Sequence, residues 1–282
     1  MAYHKQQLDL FISQALSEDI GEADHSTLAT ITSDTQGSTR LLVKDSGVLA
    51  GLDLAKMIFQ CLDKNVSVKA SVKDGDWVTP GTVACVVEGS VHALLSAERV
   101  VLNCMQRMSG IATLTRTFQE KIAHTPCRVL DTRKTTPNFR IPEKWAVHIG
   151  GGLNHRFGLY DTIMIKDNHI DFNGSIETAV KNCLRYLYKK QLSIPVIIET
   201  RNPDEVRQCV AIGGIDRILL DNMTPHQIMD VLPLIPNSIQ TEASGNINLD
   251  NVVQYAETGV DFVSVGAIIH SASPLDMSLV TS

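Results

Sequence analysis

Between positions 131 and 170 the chain carries Lys or Arg at 133, 134, 140, 144, 156 and 166 against acids at 131, 143, 161 and 167, whereas the whole 282-residue sequence has a net charge of −6. A locally cationic segment in an acidic protein points to a bound polyanion. The cations differ in kind. Arg133 and Arg156 offer planar forks matched to carboxylates, while Lys134 and Lys166 are compact charges suited to phosphate oxygens or a second carboxylate edge. Together they call for a ligand with more than one anionic group. The run Gly150-Gly151-Gly152 permits close backbone approach or positive φ, and His155 places an imidazole beside Arg156.

Two acids further on end apolar runs: Glu199 in Val196-Ile-Ile-Glu and Asp221 in Ile218-Leu-Leu-Asp. A carboxylate in that position needs a counter-charge, a hydrogen-bond network or a metal. Mg²⁺ that keeps waters and takes substrate oxygens suits hard ligands in this number. Ser244, Gly245 and Gly266 lie in the short segments Glu242-Ala-Ser-Gly and Ser264-Val-Gly-Ala, the kind of glycine-bearing strand end that binds phosphate through backbone N–H groups. A structural salt bridge for the acids and a plain turn for the glycines stand as alternatives.

These residues need a scaffold that gathers them. After residue 125 apolar strands start near Cys127, Thr162, Pro195, Asp216, Ile239 and Phe262, the last four separated by short helical segments, which is a β/α repeat. Asn202-Pro203 and Thr224-Pro225 each place a capping side chain before a proline at the first helical position. Six strands fall short of the eight of a closed barrel. Catalytic groups of such barrels project from the carboxyl ends of the strands, and the candidate residues fall at those ends. Arg133 and Lys134 end the first strand, Lys166 the second, Glu199 the third, Asp221 the fourth, Ser244 and Gly245 the fifth, and Gly266 the sixth.

The first part of the chain reads differently. Leu8, Phe11, Ile12 and Ala15 form one helical face ending before Asp19, and Glu22–Thr27 reads as a polar loop. From 38 to 89 short strands alternate with the turn signals Asp74-Gly75 and Pro80-Gly81, a small antiparallel α+β unit. A helical region then runs from Ser96 through Ile111 and Phe118, with Gly110 in or beside a break, and Arg99 on it reads in isolation as a solvated charge.

The motifs Asp131-Thr-Arg-Lys-Thr-Thr-Pro, Gly150-Gly-Gly-Leu-Asn-His-Arg, Ile165-Lys-Asp-Asn-His, Leu220-Asp-Asn-Met, Glu242-Ala-Ser-Gly and Ser264-Val-Gly-Ala, in this order, resemble those of the quinolinate phosphoribosyltransferase family over nearly the whole chain. The resemblance implies an N-terminal α+β sandwich domain (1–108) followed by an incomplete, about seven-stranded α/β barrel (109–270), with a tail (271–282) packing back on the first domain. It implies that quinolinate is held by Arg133, His155, Arg156 and Lys166, with Arg99 reaching in from the other subunit of a homodimer. Phosphoribosyl pyrophosphate would then sit against Lys134, Glu199, Asp221, Ser244, Gly245, Gly266 and His270, with Mg²⁺ near Glu199 and Asp221 and catalysis resting on Lys134, Glu199 and Asp221. Three positions depart from the family pattern: Asn138 where glycine is usual, Ile197 where the first Glu of a Glu-x-Glu pair is common, and His148 where relatives are often basic.

Composition narrows the remaining classes. A pI near 5.8 without a basic stripe argues against nucleic-acid binding, and no stretch approaches the ~20 apolar residues that span a bilayer. Six cysteines at 61, 85, 104, 127, 183 and 209 contain no C-x-x-C pair and sit mostly in apolar runs, as expected of a reduced, cytoplasmic protein. The rival readings are a nicotinate phosphoribosyltransferase of related architecture, which needs fewer cations, and a non-catalytic barrel that binds a dicarboxylate or phosphate.

Overall fold

The computed structural model describes residues 2–281, with side chains from Lys5 onward. The chain divides into two compact units, one comprising the residues up to Arg116, Thr135–Gly151 and the chain from Ile268 on, the other Thr117–Lys134 and Gly152–Ala267.

In the first unit the alternating segments form β1 (Gln36–Val43), β2 (Gly47–Val48), β3 (Ser67–Ala70), β4 (Trp77–Val78) and β5 (Val83–Ser90). A four-stranded antiparallel sheet places β1 between β5 and the C-terminal strand Met277–Thr281, with β3 on the far side of β5. Alternation buries Leu41 and Val43 of β1 and Val87 of β5. Helix Leu52–Leu62 buries Leu54, Ala55, Ile58 and Phe59, spaced three and four residues apart on one face. The N-terminal helix runs over Ala2–Ile20, past the end read from its apolar face. The polar stretch after it is in part a second helix, His25–Thr30, whose Thr27 N–H donates to Asp24 Oδ1 at 3.0 Å.

Helix Val91–Lys121 is unbroken, which corrects the break expected near Gly110. A Cβ at that position would lie 2.0 Å from the Ser273 carbonyl oxygen. Gly110 therefore serves a close backbone crossing, and the helix absorbs the roughly 1 kcal/mol that glycine costs relative to alanine.

The second unit holds β6 (Arg128–Leu130), β7 (Ile163–Ile165), β8 (Val196–Thr200), β9 (Arg217–Asp221), β10 (Gln240–Ser244) and β11 (Phe262–Ser264), all within a few residues of the starts read from the sequence. They form one parallel sheet in the order β6-β11-β10-β9-β8-β7. Its end strands are β6 and β7, and a single parallel bridge from Leu153 to Leu130 adds a seventh position beside β6. This is an incomplete α/β barrel. Asn202 and Thr224 cap the helices Pro203–Ile212 and Pro225–Val231, each with proline in the first turn.

Candidate active site

Strand register decides which side chains share a face. Glu199 lies beside Leu219, Leu219 beside Glu242, Glu242 beside Phe262, and Phe262 beside Arg128. With a period of two, the same face carries Ile197, Arg217, Asp221, Gln240, Ser244 and Ser264. The opposite face carries Ile198, Ile218, Leu220, Ala243 and Val263, all fully buried. Barrel interiors are commonly filled with branched apolar layers. Here the inner face mixes Ile197, Leu219 and Phe262 with the charged and polar groups Glu199, Arg217, Asp221, Glu242, Ser244 and Ser264.

The carboxyl ends bring several candidate residues together. Lys166 directly follows β7, and its Nζ donates to Glu199 Oε2 at 3.1 Å. Asp221 ends β9; Ser244 Oγ donates to its Oδ1 at 2.6 Å and Asn222 Nδ2 to its Oδ2 at 2.7 Å. Gly266 stands two residues beyond β11, and Lys134 is exposed, its N–H donating to Thr132 Oγ1 at 3.0 Å. Arg133 and Lys134 lie three and four residues past Leu130, in the loop after β6 rather than at the strand end itself.

Gly245 has φ +98°, and a Cβ there would meet Asn222 Oδ1 at 2.2 Å. Asn222 is the residue that holds Asp221, so this glycine keeps the β10 turn close to the acid. Gly245→Ala is expected to lower Tm by roughly 3–6 °C through about 1–2 kcal/mol of backbone strain, which a thermal melt checks.

Arg133 and Arg156 are electrostatic neighbours. Burial first, and then the positive charge of Arg133, make Arg156 a weaker acceptor of its proton than an ordinary arginine, against the opposing pull of Asp161. Asp161 itself is held by the N–H groups of Phe157 at 2.6 Å and Gly158 at 3.0 Å. A half-buried guanidinium that feels a second positive charge suits a dianion. Arg156 and His155 also line a cavity of about 520 Å³ that reaches Ile197, Arg217 and Gln240, towards the amino ends of β8, β9 and β10.

Below the carboxyl ends sits a group that motif reading did not single out. Glu242 is completely buried. Arg217 Nη1 donates to its Oε2 at 2.9 Å, Ser264 Oγ donates to its Oε1, and His155 Nε2 lies 3.3 Å from Oε2. Burial alone raises this carboxyl, but His155, Ser264 and the charge of Arg217 outweigh it and hold Glu242 below the usual carboxylate range. Arg217 also stacks on Phe262, 4.3 Å from the ring centre. The signal that could have found the pair is the period of two, which puts Arg217 and Glu242 on the same face as Asp221 and Ser244.

Arg99 and His270 are carried by the other compact unit, both exposed, and His270 Nδ1 lies 2.8 Å from Ser271 Oγ. The glycine triple divides in purpose. Gly151 takes φ +92°, but a Cβ on Gly150 would lie 2.4 Å from the Ala112 carbonyl oxygen, so Gly150 allows close packing on a helix rather than a ligand's approach. Asn138 has φ +62°, so asparagine keeps the turn that glycine would serve. Ile197 is buried on the inner face beside Arg217, and His148 is exposed. Cys104, Cys127 and Cys209 are buried with thiols pushed up to about 12, and Cys85 to about 11, so these four are apolar fillers rather than nucleophiles. Among the described residues no three His, Cys, Asp or Glu side chains form a ready metal cage, and none of their helices is long and apolar enough to cross a membrane. A Mg²⁺ that retains its waters needs only one or two carboxylates, and Glu199 and Asp221 are the acids at these strand ends that could hold one.

The model of the quinolinate phosphoribosyl transferase N-terminal domain matches residues 24–109, and that of the C-terminal domain matches residues 111–280. The chain is 44% identical to a chloroplastic nicotinate-nucleotide pyrophosphorylase (carboxylating) of Oryza sativa subsp. japonica, across 99% of this chain and 78% of the rice protein. It is 42% identical to a probable nicotinate-nucleotide pyrophosphorylase (carboxylating) of Synechocystis, across 96% and 92% of the two chains. The crystal structure of NadC from Streptococcus pyogenes superposes with TM-score 0.90 at 38% identity, covering 98% of this chain and 97% of that one. With both domain models matched in order and these likenesses spanning nearly the whole chain, the protein belongs to the quinolinate phosphoribosyltransferase family.

Proposed function

We propose that this protein transfers the phosphoribosyl group of phosphoribosyl pyrophosphate to quinolinate with loss of CO₂, forming nicotinate mononucleotide and pyrophosphate for NAD biosynthesis. The observation that carries this reading is the cluster at the strand ends of one unit, where Lys166 Nζ donates to Glu199 Oε2 at 3.1 Å and Ser244 Oγ to Asp221 Oδ1 at 2.6 Å. Quinolinate has two neighbouring carboxylates. Charge-assisted hydrogen bonds at roughly 1.5–3 kcal/mol each let Arg133, Arg156 and Lys166 hold the dianion and discriminate against a monoacid. Arg99 of a second copy completes this ring of cations in a homodimer. Phosphoribosyl pyrophosphate lies against Lys134, Glu199, Asp221, Ser244, Gly245 and Gly266.

The pyridine nitrogen attacks C1 of the ribose as the bond to pyrophosphate breaks, and the bonding electrons leave with pyrophosphate. Positive charge develops on the ribose, where Glu199 and Asp221 stabilise it, while Lys134 balances the departing anion. Once the nitrogen is quaternary, the bond to the adjacent carboxylate breaks, CO₂ departs, and the electron pair left on the ring carbon takes a proton from water. Glu199 and Asp221 would hold Mg²⁺, which would supply charge neutralisation for pyrophosphate. The free cysteines suit a reducing, cytoplasmic setting.

Mass spectrometry after mixing the protein with quinolinate, phosphoribosyl pyrophosphate and Mg²⁺ tests the proposal. Nicotinate mononucleotide with one CO₂ and one pyrophosphate per turnover is expected, and EDTA is expected to stop it. Conversion of nicotinate alone would transfer the assignment to a nicotinate phosphoribosyltransferase, and binding without turnover would leave a non-catalytic barrel.

A further inference from the structure

Of the motif Ile165-Lys-Asp-Asn-His169, the candidate site draws only on Lys166. β7 is an end strand of the sheet, and its last paired residue is Ile165, beside Ile198 of β8. Lys166 is therefore the joint between that strand and the helix Asp167–Asn173, with φ −106° and ψ 170°. Past the ladder, the helix takes over the backbone of this lysine. Its N–H donates to His169 Nδ1 at 2.9 Å, and its carbonyl oxygen accepts from the Ile170 N–H at 3.1 Å. A side chain in the third helical position that reaches back to the amide of the cap residue is one half of a capping box, a place usually taken by Glu or Gln.

The helix that carries this ring is itself anchored. Ile170 is buried, Asn173 Nδ2 donates to the His169 carbonyl at 2.8 Å, and Asn182 Nδ2 of the next helix, Ile176–Lys190, donates to Asn173 Oδ1 at 3.0 Å. Asp171 pairs at 3.2 Å with Arg201, which directly follows β8, the strand that carries Glu199. Lys166 Nζ donates to that same Glu199 at 3.1 Å. We infer that His169 is a positioning residue: by accepting the Lys166 N–H it fixes the backbone from which the ammonium group reaches Glu199 and the substrate, without touching the substrate itself. The inference rests on the proposed reaction for what Lys166 does, whereas the bond from amide to ring stands on geometry alone.

A double-mutant cycle separates positioning from contact. His169→Leu is expected to lower kcat/KM for quinolinate by roughly 10–100-fold, the scale of a misplaced substrate-holding group. KM for quinolinate should rise more than KM for phosphoribosyl pyrophosphate. His169→Gln, whose side-chain oxygen accepts the same N–H, is expected to stay within about threefold of the unaltered protein. Added to Lys166→Ala, His169→Leu should cost no more than about threefold further, because its effect runs through the lysine. A multiplicative loss in the double variant, or a glutamine variant as impaired as the leucine one, would overturn the proposal. Amide hydrogen exchange supplies a readout independent of activity. The Lys166 N–H should exchange roughly fivefold faster in His169→Leu, the scale of one lost cap, and at its normal rate in His169→Gln. Equal rates in all three proteins would show that the ring does not hold this backbone, and the proposal would fall. If the unaltered protein forms no product from quinolinate, the proposed reaction fails, while the exchange rates still decide whether His169 holds Lys166.

Discussion

Arg156→Ala is expected to lower kcat/KM for quinolinate by about 10²–10⁴-fold, the loss of two charge-assisted hydrogen bonds at roughly 1.5–3 kcal/mol each. KM for quinolinate should rise more than KM for phosphoribosyl pyrophosphate, since the proposed contact of the guanidinium is with the acceptor alone. Arg156→Lys should recover little, because a point charge cannot reproduce the planar fork. The same alanine variant should melt at the same temperature as the unaltered protein or slightly higher. Burial and the charge of Arg133 both disfavour the Arg156 cation, more than Asp161 favours it, so without an anion the fold bears an electrostatic cost that alanine removes. Kinetics with each substrate varied in turn, and a melt without ligands, test both halves. A kcat/KM within about threefold of normal would take Arg156 away from the substrate, and a Tm drop beyond roughly 5 °C would make its role structural.

Glu143→Ala should act in the opposite sense, through stability. Glu143 is fully buried and accepts from Arg107 Nε at 3.1 Å and Nη2 at 2.9 Å, and from the Thr136 N–H at 2.8 Å and Oγ at 2.9 Å. Arg107 also donates to the carbonyls of Ile269 at 2.8 Å and Ala272 at 3.0 Å. This one pair ties a loop, the long helix and the C-terminal segment together within the first unit. Removing the carboxylate leaves the guanidinium partly buried without its counter-charge, a loss of about 3–5 kcal/mol. At this chain length Tm should fall by roughly 6–15 °C. Replacing both residues, as in Arg107→Met with Glu143→Met, should cost less than the sum of the two single changes, because neither charge is then stranded. Thermal or urea unfolding of the four proteins gives the coupling, and additive losses would show that the two groups act separately.

The stretch from Asp131 to His169 and the strand-end acids were legible because chemistry restricts residue type. Paired carboxylates require forked cations, and a cation segment stands out against a net charge of −6. The strands of the second unit were legible because short apolar runs bounded by capped helices have few other interpretations. Gly110 shows the limit of such reading. As a local signal it suggests a break, yet its reason is the Ser273 carbonyl, 163 positions away in sequence. Gly150 misled in the same way, since the backbone it must admit belongs to a helix at Ala112.

By itself the sequence determined the second unit's strand starts, the glycine at 245 as a strand-end glycine, and the inventory of cations and acids for a dianionic substrate. These depend on residue type and on spacing within one segment. Tertiary structure alone decided that Arg217 and Glu242 meet, that Lys166 pairs with Glu199, and that the nitrogens of His155 face an amide and a buried carboxylate. The physical reason is that each of these pairings depends on the register of parallel strands or on the path of a loop across them. Parallel strands are joined through intervening helices, so residues far apart in sequence become neighbours only when the sheet assembles.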